Sequence, residues 1–421
     1  MKRVFLLSIK EEVNQVAVIK VAILGFGTVG EGVYRTIHSH AEVLAATLGK
    51  KVEVAAVLIK NKQKKRNISD DVLLTTDFED ILSLPQLDVV VEAIIGKEPT
   101  FTFLKKAIQR GSHVISANKE MFAHHGKELL ELAAEHHVSV GYEATVGGGI
   151  PIIQTLRQLL KVNNVLQVQS ILNGTSNFIL SAMREKKQSF EAALLDAQKN
   201  GYAESDPTND VEGIDAFFKT MILSKIAFGV EPDWKEIELE GITSITSELI
   251  EAADELGLRF KHIANIYKSG ERIEGSVKPA LVTKAHPFYQ VEGVQNAFNI
   301  HTDIVGSITL QGPGAGMYPS ASAVIEDLVF VCETKSGELK RSTAKTLTNE
   351  ANKAKKIWFV NGISSTSFPT SIRLLEQAAN EAFIIEAAQK DVEHLVNQHS
   401  NSCYFPILGE YKEAKETVTV K

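Results

Sequence analysis

Near the start of the chain an apolar run rich in Val and Ile, Val16 to Leu24, gives way to Gly25-Phe26-Gly27-Thr28-Val29-Gly30 and then to a helix-like stretch from about Glu31 to Leu48. A strand that ends in glycines and opens a helix is the first unit of a dinucleotide-binding sheet. Each glycine has its own task there. Gly25 permits the tight turn, Gly27 lets a pyrophosphate approach the backbone, and Gly30 allows helix and strand to pack closely. The free N–H groups at the helix start favour phosphate. A lone glycine motif says little, but this one has the flanking strand and helix that the reading requires.

The rhythm then repeats. Val52 to Ile59, Leu87 to Ile95, His113 to Ser116 and Val138 to Tyr142 read as buried strands, with helices near Thr100 to Gln109 and Glu120 to His136. Continuously apolar strands alternating with helices predict a parallel sheet covered on both faces. The expected class is therefore α/β, with a doubly wound, Rossmann-type cofactor domain over residues 1–150. Past Gly147-Gly148-Gly149-Ile150-Pro151 helices dominate, with strands near Val165 to Leu172 and between Phe260 and Thr309, which predicts an α+β domain over 151–311. Gly312-Pro313-Gly314-Ala315-Gly316 turns into an Ala/Val-rich helix from about Ser320 to Phe330, and residues 312–335 are expected to return to the first domain. Beyond a Lys-, Ser- and Thr-rich linker between about Glu333 and Lys356, Ile357 to Val360, Phe383 to Glu386 and Cys403 to Leu408 read as short strands separated by helical stretches. They predict a small terminal module over 350–421. A chain of 421 residues exceeds what one hydrophobic core supports, so several domains are expected.

The 45 basic and 52 acidic residues give a net charge of −7, which argues against a nucleic-acid surface. Cys332 and Cys403 stand far apart without a CxxC pair, which indicates neither a disulfide framework nor a zinc site and fits a reducing cytoplasm. The short apolar run in Met1 to Ser8 is cut off by Glu11 and Glu12, so no signal peptide is expected, and no stretch is apolar enough to span a membrane. None of the twelve histidines forms an HExxH pattern, and neither a GxSxG elbow nor a Walker motif occurs. The expected partners are a small-molecule substrate and other subunits.

The catalytic candidates lie on two segments. Gly201-Tyr202-Ala203-Glu204-Ser205-Asp206-Pro207-Thr208-Asn209-Asp210 crowds three carboxylates into a loop before a helix carrying Asp215 and Lys219 on one face. Alone, an Asp and a Lys four apart are an exposed pair contributing about 0.3–0.5 kcal/mol. Phe217, Phe218, Met221 and Ile222 surround this pair, and a lysine bordering an apolar helix face is a candidate for a partly desolvated catalytic amine. Lys119, in Ser116-Ala117-Asn118-Lys119, follows the C-terminal end of a predicted parallel strand, where ligands bind in open α/β sheets. After the second strand the chain reads Lys60-Asn61-Lys62 and Lys64-Lys65-Arg66, with no acid to hold a ribose hydroxyl or repel a 2′-phosphate. That favours NADP over NAD.

These motifs, with Glu143-Ala-Thr-Val-Gly-Gly-Gly-Ile-Pro151, Asn173-Gly-Thr-Ser-Asn177 and the sequence from Gly201 to Asp215, closely resemble homoserine dehydrogenase in order and spacing over about residues 19–330. The resemblance implies an NAD(P)-dependent oxidoreductase that interconverts aspartate 4-semialdehyde and homoserine, in the route to threonine, methionine and isoleucine. It implies Lys219 as proton donor, Glu204 and Asp215 as substrate-binding, and Lys119 as touching substrate and cofactor. Gly25, Phe26, Gly27, Thr28, Val29, Gly30, Lys60, Gly201 and Gly316 would complete the cofactor site. Glu143, with main-chain oxygens of Val146, Gly148 and Ile150, would hold a monovalent cation, sodium, as hard oxygen ligands suit it. It further implies a homodimer or homotetramer and an ACT-like tail. Two rivals are a catalytically silent regulator on the same fold and an oxidoreductase for another amino-acid-derived aldehyde.

Overall fold

A computed structural model describes residues 17–230, 232–270, 272–333, 355–378 and 381–411; the stretch before Ala17 and nearly all of the Lys/Ser/Thr-rich linker lie outside the described residues. The first sheet comprises β1 (Val18–Leu24), β2 (Lys51–Leu58), β3 (Leu73–Thr75), β4 (Val89–Glu92), β5 (His113–Ser116) and β6 (Val140–Gly141). Its order is β3-β2-β1-β4-β5-β6, and every pairing is parallel. Val21, Ile23, Val89, Val91, Val114 and Ile115 are fully enclosed, as strands covered on both faces must be. The order reverses between β1 and β4, the place where such sheets open a ligand crevice at their C-terminal ends.

Besides the unexpected strand β3, two details differ from the sequence reading. The segment after the glycines is two helices, Thr28–Ser39 and Ala41–Leu48, broken at a non-helical His40 whose carbonyl starts the second. β4 stops at Glu92, three residues before Ile95, because the Glu92 side chain accepts the Ile94 N–H and turns the chain out of the sheet.

The second sheet is built from β7 (Val165–Ile171), β8 (Glu238–Leu239), β9 (Arg259–Ser269), β10 (Arg272–Val282), β11 (Gln295–Thr302) and β12 (Ser307–Pro313). Its main path, β12-β11-β7-β9-β10, is antiparallel. One face carries Val168, Ala264, Ile266, Phe298 and Ile300 into a core shared with the helix Ile214–Phe228. The helix Met317–Glu333 returns to the first sheet: Ala321, Val324 and Leu328 share a core with Val21, Ile23 and Val33. Only a glycine fits at position 32, where a Cβ would lie 2.8 Å from Met317 atoms.

The tail forms β13 (Lys356–Asn361), β14 (Arg373–Gln377), β15 (Ala382–Ala387) and β16 (Cys403–Leu408), in the antiparallel order β16-β13-β15-β14. Here the expectation of helices between all strands fails. Between β13 and β15 the chain makes a 3-10 turn, Ser365–Ser367, and the unforeseen strand β14; the helix is Gln389–Asn397. Ser and Thr prefer turns to helix interiors, and Pro369 breaks any helix begun there. β16 pairs in parallel with the end of β10, joining the tail to the second sheet.

Candidate active site

The glycine junction has the shape a dinucleotide needs. Gly25 sits at φ +92, and a Cβ there would approach the Ala93 carbonyl oxygen to 2.6 Å. A Cβ on Gly30 would lie 2.0 Å from the Gly25 carbonyl oxygen, whereas one on Gly27 would meet nothing within 4 Å. Gly25 and Gly30 thus serve packing, and Gly27 faces open space that a pyrophosphate can fill beside the N-terminus of the helix beginning at Thr28. Phe26 packs edge-on against Tyr34, which steadies the turn. Gly316, at φ +122, precedes the helix that packs against this one, while Lys60 and the basic residues after it are mostly exposed on the loop past β2. Arg66 is the exception: it donates to the carbonyls of Asn61 (2.8 Å) and Lys64 (2.7 Å), drawing that loop together.

The two candidate segments meet beyond the C-terminal end of β5. Asn118 caps the helix Lys119–Glu135 by accepting the Met121 N–H, so Lys119 is the first residue of the helix that leaves β5. Its ammonium pairs with Asp215 at the start of the helix Ile214–Phe228. One turn on, Lys219 Nζ lies 2.9 Å from the other Asp215 oxygen and donates to the Leu172 carbonyl at 2.8 Å. Asn173 Nδ2 bridges Asp215 (2.9 Å) and Asp210 (2.7 Å) while its Oδ1 caps the helix Gly174–Lys186. Asp215 and Lys219 are both buried, so this is not the solvated pair that the spacing alone would suggest.

Burial governs the charges. It would raise the Asp215 carboxyl, but the Lys219 and Lys119 ammonium groups override it and hold that carboxyl well below the usual range. Burial, with Lys119 close by, draws the Lys219 amine below the ordinary lysine value against the pull of Asp215. Burial also opposes charge on Lys119, yet Asp215, Asp210 and Glu204 together raise it. Two lysines share one carboxylate, and only the enclosed one is made easier to deprotonate. Glu204 and Gly201 lie exposed on the loop above this cluster. Both cysteines are free, and burial pushes each thiol up to about 11, so neither is an activated nucleophile.

Glu143 follows β6 in a short 3-10 turn and is buried. Its carboxylate accepts the N–H groups of Ile153 and Gln154, both at 2.8 Å, at the start of the helix Ile152–Leu159. The sequence reading missed its neighbour Asp327, whose Oδ2 accepts the Glu143 N–H at 2.7 Å. Asp327 interrupts an otherwise apolar helix face, which was the available signal. Burial, then Asp327, push Glu143 up to about 7, and burial takes Asp327 to about 6. The Gly148 backbone, at φ +60, packs against Gly314, and the Ile150 carbonyl accepts the Ile152 N–H. Two buried carboxylates beside a carbonyl-bearing loop form a donor set that suits a hard monovalent cation. Among the described residues no group of three or more His, Cys, Asp or Glu side chains could hold a metal, so such a cation would depend on main-chain oxygens.

Comparison with known proteins follows the same division. Residues 25–143 match the family model for the homoserine dehydrogenase NAD-binding domain, and residues 151–329 match that for homoserine dehydrogenase. The homoserine dehydrogenase of Bacillus subtilis is 40% identical over 314 residues, 74% of this chain and 72% of that protein. A crystal structure of a homoserine dehydrogenase from Thiobacillus denitrificans superposes with a TM-score of 0.83 at 32% identity, covering 93% of this chain and 99% of that one. A hyperthermophilic archaeal homoserine dehydrogenase solved in complex with NADPH aligns at 27% identity and a TM-score of 0.65, over 75% of this chain and 97% of its own. No helix among the described residues is long and apolar enough to cross a membrane.

Proposed function

This chain belongs to the homoserine dehydrogenase family, whose NAD(P)-dependent reaction interconverts aspartate 4-semialdehyde and homoserine, and from that premise we propose that Lys219 is the proton donor to the substrate oxygen. The observation that carries this is the chain Lys119–Asp215–Lys219, buried at Asp215 and Lys219 and open to solvent at Lys119, assembled from two segments beyond the C-terminal end of β5. The bound nicotinamide supplies the hydride to C4 of the aldehyde, or takes it back from homoserine. Lys219 gives its proton to the alkoxide oxygen as charge develops there, and recovers it in the reverse direction. An amine drawn below its ordinary value gives up its proton more readily than a solvated lysine, which suits a donor. Asp215, already shared by two lysines, fixes the place and charge of the amine, so its share in holding substrate is indirect. Glu204, on the exposed loop, meets the substrate ammonium. Lys119 spans substrate and cofactor.

The basic loop from Lys60 to Arg66 and the lack of an acid after β2 support NADP over NAD. Sodium bound by Glu143 with carbonyls of Val146, Gly148 and Ile150 would relieve the crowding of the two buried carboxylates. A homodimer or homotetramer is supported by the second sheet, whose face bearing Ser307, Thr309 and Gln311 is exposed along β12 and available to another copy. The cytoplasm is the compartment that two free thiols and a biosynthetic reaction suit. Homoserine-dependent reduction of NADP⁺ and of NAD⁺, measured side by side on the parent and on Lys219→Ala, tests the reading. The variant should lose roughly 10²–10⁴-fold in kcat while still binding cofactor. Near-normal turnover would move the proton to Lys119 or to water.

A further inference from the structure

Glu92 is the last residue of β4 and is fully enclosed, at the switch point where the cofactor crevice opens, yet the chemistry above makes no use of it. Both its oxygens are engaged. Oε2 accepts from Ser116 Oγ at 2.6 Å, and Oε1 accepts the Ile94 N–H at 2.7 Å. Ser116 Oγ in turn accepts the Asn118 N–H at 3.0 Å. Asn118 then reaches back, donating from Nδ2 to the carbonyls of Ile94 (2.9 Å) and Gly96 (2.7 Å), while its Oδ1 caps the helix that Lys119 begins. The result is a closed ring of hydrogen bonds. One side is the turn Ile94–Gly96, which presents Ile95 almost wholly exposed at the crevice mouth; the other is the residue pair that aims Lys119 at Asp215.

We propose that Glu92 is a positioning residue for the dehydrogenase reaction: its carboxylate locks the crevice-mouth turn to the start of the Lys119 helix, setting Lys119 and the nicotinamide-side wall as one unit. This rests on the role given to Lys119 above. A buried carboxylate is a costly way to join two turns, since an apolar pair would fill the space without desolvating a charge. What the carboxylate adds is two acceptors fixed in direction, which no apolar side chain supplies. Its neighbours across the sheet are Leu24 on β1 and Ser116 on β5, its hydrogen-bonding groups are Ser116, Ile94 and Asn118, and none of these is ionisable. Burial alone therefore drives its carboxyl up to about 7, against the hydrogen bonds from Ser116, Ile94 and Asn118.

The test is aldehyde reduction by the full chain, because in that direction Lys219 must carry its proton and contributes an alkaline limb only. In the parent, kcat/KM for the nicotinamide cofactor should fall as pH drops through about 7, where Glu92 takes up a proton and the ring opens. Glu92→Gln should lower kcat/KM at pH 8 by roughly tenfold, mostly through KM, and abolish that acid limb. Ser116→Ala removes the same bond from the other side and serves if Glu92→Gln folds poorly. The double variant should be no worse than the worse single one, as members of one ring are not additive. Parental kinetics with an intact acid limb in Glu92→Gln, or fully additive losses in the double variant, would overturn the proposal. Lys119→Ala separates the two readings: if it cripples turnover while Glu92→Gln does not, Lys119 keeps its role and only Glu92 is dismissed; if Lys119→Ala is itself near-parental, the role of Lys119 fails first.

Discussion

Lys219 differs from an ordinary helix lysine through what encloses it. Its amine has two partners, the Asp215 carboxylate and the Leu172 carbonyl, and the latter also accepts from Asn296 Nδ2 at 2.9 Å. Lys119, on the far side of the same carboxylate, would repel it if Asp215 were neutral. Asp215→Asn should therefore leave two ammonium groups facing one another and lower the Lys219 pKa further. The alkaline limb of aldehyde reduction then moves to lower pH, and kcat/KM at neutral pH falls by roughly 10²-fold. A pH–rate profile of parent and variant checks this; an alkaline limb that stays in place would mean that another group donates. At this scale the sequence was informative where chemistry repeats at a helical spacing. Asp215 and Lys219 were legible from their four-residue separation and apolar neighbours. Asn173, the Leu172 carbonyl and Glu92 were not, because their bonds to Asp215, Lys219 and Ser116 span 24 to 47 positions and depend on how strands line up.

Among the elements, the loop from Glu143 to Pro151 joins the two sheets, and Glu143 holds it to the next helix. That side chain spends both oxygens on the first free N–H groups of the helix Ile152–Leu159, which also places a negative charge at the positive end of the helix dipole. Glu143→Ala should cost about 1–3 kcal/mol of stability by leaving buried donors unpaired. Sodium should raise the melting temperature of the parent by mass action and leave the variant unmoved. Melting both proteins in sodium chloride and in choline chloride decides the matter, and equal responses would remove the cation from Glu143. Element type was read well where burial is two-sided and the apolar run continuous, as in β5 and the later half of β1. β3 escaped because three residues at a sheet edge carry almost no periodicity. β14 escaped because its pattern is polar and half-exposed.

In the whole molecule, every residue proposed for chemistry or for the cation lies between Gly25 and Asp327, and none is among the described residues of the tail. What the tail contributes is cover. Phe359, Ile384, Phe405 and Ile407 share one core with Phe260 and Leu281 of the second sheet, and the Phe260 ring meets that of Phe405 edge-on at 5.0 Å. β16 also continues that sheet through Leu281 and Val282. No sequence pattern announces such a junction, since a strand's hydrophobic face does not say which sheet it will join. The archaeal relative aligns over nearly all its own length with three quarters of this chain, so the catalytic fold stands there in a shorter protein. Here, a chain ended at Glu333 would expose Phe260 and Leu281, at about 1.5–3 kcal/mol for each large apolar side chain returned to water. It should melt several degrees below the parent and self-associate through the uncovered patch, which light scattering on warming would detect. Below that melting point, homoserine-dependent turnover and cofactor binding should persist, because Lys119, Asp215, Lys219 and the glycine turn remain supported by cores the tail does not enter. A truncated chain that melts with the parent would mean the shared core adds no stability. One that stays folded yet turns over nothing would mean the tail reaches the crevice through β10 and the helix packed on it.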